Sequence, residues 1–150
     1  MAFMLQLRIA GQPVLIDADL VQAVIRVGRL HPVPAVAADV AGLITLRGAV
    51  ITVIDPAVML AGERSPPAEQ ERVAIVVRLD GHAYALLCDA AEEVFELAGD
   101  GFDPPPPGLA PAWARVATGT AVAEGRRLAV IDPLRLVPQP AAALPADEMA

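Results

Sequence analysis

The chain has 150 residues, is 55% hydrophobic but only 3% aromatic, and carries a net charge of -7 with no lysine. That length suits one domain or two very small ones, with a core of Val, Leu, Ile and Ala. A nucleic-acid binder carries a basic face, so the acidic balance speaks against that partner, and the missing lysine excludes Schiff-base and P-loop lysine chemistry. Fifteen prolines and eleven glycines favour many short elements separated by turns, which is an all-β pattern.

Phe3, Leu5, Leu7 and Ile9 alternate with Met4, Gln6 and Arg8 and predict a strand with one buried face. The same alternation, with no charged leader, makes the N-terminus a strand and not a signal peptide. Gly11-Gln12 turns the chain into a short strand at Val14-Leu15-Ile16. Asp17 is placed to cap a brief helical turn at Asp17–Leu20. A third strand is expected from Val21 to Val27, followed by a loop, Gly28–Pro34, that its prolines extend.

The next stretch, Val40 to Pro56, organises the rest. Ala41–Leu46 and Ala49–Ile54 are apolar and β-branched, and Arg47-Gly48 breaks them as a tight hairpin turn. Both faces of such greasy arms should be covered. Arg47, the one charge in this run, stands at the tip. Pro56–Leu60 is a helical turn stopped by Gly62, and Glu63–Gln70 reads as a connection between two halves.

In the second half Arg72–Leu79 and His82–Leu87 flank Asp80-Gly81, a strong hairpin signal. Glu92–Leu97 is a further strand. Four prolines, Pro104 to Pro107, make a stiff surface loop; a PxxP ligand is the less favoured reading. Val116–Val122 and Arg127–Ile131 form a last hairpin across Glu124-Gly125, and Pro133–Leu136 is a final helical turn. Residues 138–150 are Ala/Pro-rich and expected to fray. No run approaches about 18 uninterrupted apolar residues, so no membrane insertion is expected and a cytoplasmic location follows.

The halves repeat. Arg8-Ile9-Ala10-Gly11 matches Arg78-Leu79-Asp80-Gly81, Val24–Val27 matches Val94–Leu97, and Val53-Ile54-Asp55-Pro56 recurs as Val130-Ile131-Asp132-Pro133. Each half is too small to bury enough surface alone. Two small barrels sharing an apolar seam are therefore expected, the first over about 3–63 and the second over about 71–137. A groove between them is a natural docking place.

Val21-x-x-Val24, the Pro-Val-Pro loop and Val40-Ala41-Gly42-Leu43-Ile44-x-Leu46-Arg47-Gly48-x-Val50-Ile51-x-Val53-Ile54-Asp55 resemble the CheW-like domain family. The resemblance covers roughly residues 3 to 137 of a single domain. It implies two SH3-like five-stranded barrels packed together with short helical turns. It also implies a non-enzymatic scaffold that couples chemoreceptor cytoplasmic tips to the regulatory domain of a histidine kinase. An adaptor of another pathway, such as surface motility or gene-expression control through a sister kinase, is the alternative. The partner-binding residues it implies are Val21, Leu46, Arg47 and Gly48. The sequence departs from the family pattern at Thr45, Thr52 and Pro56, and at Ala23, where the family carries a Glu that commonly pairs with the hairpin arginine.

No catalytic set, cofactor site or metal site is expected from the residues. Asp55 and Asp132 stand in identical settings before proline, which marks helix caps and not paired catalytic carboxylates. His31 and His82 read as surface residues. Cys88, the single cysteine, lacks an electropositive setting and reads as an inert, part-buried thiol. Arg47 has a bland reading too, a solvated turn charge. The resemblance tips it toward partner contact.

Overall fold

A computed structural model describes residues 2–31, 39–62, 72–97 and 102–137. The described chain folds into ten strands, β1 (Ala2–Ile9), β2 (Gln12–Asp17), β3 (Ala23–Val27), β4 (Val40–Leu46), β5 (Ala49–Ile54), β6 (Arg72–Leu79), β7 (His82–Cys88), β8 (Ala90–Leu97), β9 (Ala117–Ala123) and β10 (Arg126–Ile131). Two six-residue helices, α1 (Pro56–Ala61) and α2 (Pro111–Val116), and two 3-10 turns, Ala18–Leu20 and Pro133–Leu136, complete it. None of these described helices is long and apolar enough to cross a membrane. The expected connection at 63–70, the Pro-Val-Pro loop and the tail at 138–150 lie outside the described residues.

Four tight turns build the hairpins. At Ala10-Gly11, Arg47-Gly48, Asp80-Gly81 and Glu124-Gly125 both residues have φ between 49° and 82°. Two consecutive left-handed residues match the right-handed twist of the flanking strands, which is why two-residue hairpins use them. The helical turns start where a side chain meets an orphan backbone N–H. Asp17 Oδ1 accepts from Asp19 N at 2.9 Å, Asp55 Oδ1 from Ala57 N at 3.2 Å and Asp132 Oδ1 from Leu134 N at 3.0 Å. Asp55 and Asp132 are caps, as their setting before proline predicted.

The strands form two curled five-stranded sheets of the two-barrel type, ordered β8-β1-β2-β10-β9 and β3-β6-β7-β5-β4. We call them the β1 barrel and the β6 barrel. The expected division into 3–63 and 71–137 is corrected here. Each barrel takes one hairpin from one half of the chain and three strands from the other. β3 pairs with β6 and β8 pairs with β1, both antiparallel, while β5 joins β7 and β10 joins β2 in parallel. The 3-10 turn at Ala18–Leu20 sends the chain away from the β1–β2 hairpin, so β3 completes the other barrel. Exchange lets each small half bury apolar surface against both barrels, which a half-chain alone could not do.

Period-two alternation then serves two cores. Leu5, Leu7, Ile9, Val14 and Ile16 face a seam shared with Ile54, Ile75, Val77, Leu86 and Ile131, and Leu136 closes it. The alternate residues Met4, Leu15, Leu128 and Val130 fill the β1 barrel, and Ala74, Ala85, Leu87, Ile51 and Val53 fill the β6 barrel. β1 is therefore buried on both faces, contrary to the one-face expectation. Met4 is 0% exposed while Phe3 is 55% exposed.

The outer strands β4 and β9 are each covered by a crossing segment. His31 exchanges backbone hydrogen bonds with Leu43, both 2.9 Å, and Asp103 does the same with Thr120 at 3.1 and 2.9 Å. Both crossings need a glycine beneath them. A Cβ at Gly42 would sit 2.8 Å from His31 O, and one at Gly119 would sit 2.7 Å from Asp103 O. Covering an edge removes a template for unwanted strand pairing.

Several boundaries differ from the reading of the sequence. The third strand begins at Ala23, because Val21 N still donates to Ala18 O at 3.1 Å and closes the 3-10 turn. Helix α2 occupies Pro111–Val116, where only a proline-rich loop and the start of a strand were expected.

Candidate functional site

Near its tip the β4–β5 hairpin buries one face only, which corrects the expectation that both faces would be covered: Thr45, Ala49 and Val50 beside the tip are exposed, Val50 to 68%. Ile44 and Ile51 are buried in the β6 barrel, and Leu46 packs against the same cluster. The turn that follows places Arg47 at φ 51° and Gly48 at φ 82°, both exposed. A non-glycine residue in left-handed backbone costs about 1–2 kcal/mol. The guanidinium is thus held outward on a stiff support.

Beside it lies a hollow of about 260 Å³ at the open end of the β6 barrel. Gln22, Ala23 and Ile25 of the β3 side line it opposite Leu46, Arg47 and the outer end of β6. It holds two guanidinium groups, Arg47 and Arg78, and no carboxylate. Arg78 Nη1 donates to Gly81 O at 2.9 Å. Arg47 has no ion pair among the described residues, and neither Asp39 nor Glu93 reaches it. The surface is apolar at its floor and positive at its rim.

Of the hairpin residues, Leu46 and Arg47 line this hollow, while Gly48 completes the turn and does not line it. Val21 stands apart. It is half-buried against the shared seam and does not line the hollow, although the next residue, Gln22, does. Ala23, the departure from the family pattern, faces into the hollow. Arg78 was missed from the sequence. Its match with Arg8 in the repeat was visible, but nothing local indicated that β6 would run beside the Arg47 tip.

Elsewhere the residues weighed for chemistry take structural places. His31 and His82 are exposed, His31 at the strand crossing and His82 at the start of β7. Among the described residues no group of three or more His, Cys, Asp or Glu could hold a metal ion. Cys88 is 1% exposed in the seam, and Cys88 Sγ approaches Leu86 O at 3.4 Å. Burial pushes its thiol up from 9.0 to about 12; Asp89 adds to the rise, against a backbone hydrogen bond at Ile75 and Arg72. The thiol is neutral at physiological pH and shielded from reagents.

Comparison with known proteins agrees with this fold. The sequence profile of the CheW-like domain matches residues 4–141. The fold is similar to the crystal structure of the scaffolding protein TtCheW from Thermoanaerobacter tengcongensis, with a TM-score of 0.73 and 22% identity over 87% of this chain and 83% of that one. No curated protein matches the chain.

Proposed function

Because the chain belongs to the CheW-like domain family, we propose that it is a non-enzymatic adaptor that couples chemoreceptor cytoplasmic tips to the regulatory domain of a histidine kinase in chemotaxis signalling. One observation carries this reading. Arg47 stands on a rigid left-handed turn, beside a carboxylate-free hollow, with no ion pair among the described residues. Its planar fork can take an outside carboxylate or carbonyl in two parallel hydrogen bonds. Leu46 and Gly48 belong to the same proposed contact, Leu46 as apolar floor and Gly48 by permitting the turn, and Val21 contributes to it indirectly, by anchoring on the shared seam the chain that leads into Gln22. The work of such an adaptor is binding alone. Holding two partners in fixed geometry shifts the kinase between states to the extent that the contact favours one of them. The setting is the cytoplasm, where both partners present these parts.

The departure at Ala23 favours a second reading, an adaptor that serves a sister kinase of another pathway. A partner surface fitted to a hollow with an acid at that position differs in charge from one fitted to this hollow. The test is a pull-down with the purified chain against receptor tips and each kinase regulatory domain of the same organism. Capture of the chemotaxis kinase is the expected result. Capture of a sister kinase alone selects the second reading, and capture of neither class overturns both.

A further inference from the structure

A second cleft, of about 440 Å³, opens where β2 parts from β10. The two strands pair in parallel only at Ala129 with Val14 and Val130 with Leu15. Outward of these pairs they diverge, and the segment carrying Pro106 and Leu109, with Trp113 of α2, forms the third wall. Trp113 packs on its other side against the shared seam, which fixes its ring in the wall. The walls contain no carboxylate, although the chain carries 18 acidic residues. Two arginines stand at the rim. Arg127 is engaged, with Nη1 donating to Asp103 Oδ2 at 2.9 Å and to Thr120 Oγ1 at 3.4 Å. Arg126 has no ion pair and no side-chain hydrogen bond among the described residues.

We propose that this cleft is a binding site for a small organic anion, with a carboxylate taken by Arg126 and an apolar or aromatic body lying against Trp113. Small-molecule sites are concave, about 300–1,000 Å³ in volume, and oriented by a few polar groups; this cleft has that volume and a lining of mixed apolar and polar character. An aromatic wall offers flat area to stack on, and a guanidinium without a partner offers the charge-assisted bond. Topology argues against an extended peptide as the occupant. Strand addition needs an open sheet edge, whereas β2 lies between β1 and β10, and β10 between β2 and β9. This site is independent of the Arg47 hollow, which lies in the other barrel.

Trp113 is the single tryptophan, so its indole N–H gives one unambiguous NMR signal from the intact chain. Naphthylacetate and its neutral analogue naphthylacetamide are the probes. The acid should shift the indole signal to saturation, and more tightly than the amide. Arg126→Gln should weaken the acid at least about tenfold, the loss expected for a hydrogen bond to a charged group, and leave the amide unchanged. Arg26→Gln, an exposed arginine of the other barrel, should change neither. The proposal is overturned if neither probe gives a saturable shift, if acid and amide bind equally, or if Arg26→Gln weakens the acid as much as Arg126→Gln does.

Discussion

The two barrels share a topology and differ in how their open ends treat charge. In the β1 barrel Gln6, which is 7% exposed, donates to Glu92 Oε2 at 2.6 Å, and Arg8 Nε lies 3.9 Å from Glu92 Oε1. The residues seventy positions away in the β6 barrel are Val76, Gln22 and Arg78. The acid has become an amide, and the buried amide has become an alkyl group. The arginine keeps its turn contact in both, Arg8 Nη1 to Gly11 O at 3.2 Å and Arg78 Nη1 to Gly81 O at 2.9 Å. The hairpin tips invert as well: Arg47 in the β6 barrel corresponds to Glu124 in the β1 barrel, and Ala23 to Glu93. The Gln6–Glu92–Arg8 cluster of the β1 barrel satisfies its polar groups internally. The hollow at the corresponding end of the β6 barrel is lined by no acid, and its Arg47 has no ion pair among the described residues. The two barrels share their turns, caps and seam and differ at these ends.

The largest expected effect breaks the self-satisfied end. Glu92→Ala removes the acceptor of a buried amide, and a buried donor left unmade costs about 1–3 kcal/mol. The corresponding Gln22→Ala should stay within about 0.5 kcal/mol, as for other exposed sites. Urea unfolding of the two variants reads the contrast, and equal losses would contradict it.

A smaller effect follows from making the ends alike. Gln22→Glu places an acid in the hollow with Arg47 and Arg78. An exposed ion pair adds at most about 1 kcal/mol of stability. The same change should weaken partner binding, because the arginines would then have an internal acid. Gain of stability with undiminished binding would show that the hollow is not the contact.

Smaller still is the effect of relieving the turn. Arg47→Asn puts a residue tolerant of left-handed backbone at φ 51° and should leave the melting temperature unchanged or slightly raised. A marked loss of stability would reveal an internal role for the guanidinium.

The seam between the barrels has a pH signature of its own. The Cys88 thiol binds its proton more tightly in the folded chain, with a value raised from 9.0 to about 12. Its contribution is therefore fully present below pH 9 and is lost as pH rises toward 12. Cys88→Ser removes the thiol from the seam and should flatten the alkaline decline in stability across that window. An identical decline in the variant would assign it to other groups.

Much of this arrangement could be read from residues close together in the chain. The four turns were legible because each ends in glycine, and the caps because Asp55 and Asp132 precede proline. The exchange of strands was not legible. Whether Ala23–Val27 pairs with β1 or β6 depends on segments about fifty residues away, and no local pattern encodes that choice. β1 misled for a related reason: alternation predicts one buried face, but Met4 fills a barrel while Leu5 and Leu7 fill the seam. Helix α2 begins at Pro111 behind Ala110, which makes no side-chain cap bond, so its one start signal, a proline at the first helical position, was absorbed into the proline-rich loop. Of the expected site, Leu46 and Arg47 line one hollow because they share a hairpin, and neither Gly48 nor Val21 lines it. Arg78 joins them only through the tertiary fold.

Under the proposed function, Arg47 serves a partner and not the fold. The direct measurement is the dissociation constant of the kinase regulatory domain for the wild-type chain and for Arg47→Glu, with the melting temperature of each. The account predicts binding weakened at least about tenfold, about 1.4 kcal/mol, with the melting temperature essentially unchanged. Unaltered binding, or a variant that unfolds, would contradict it.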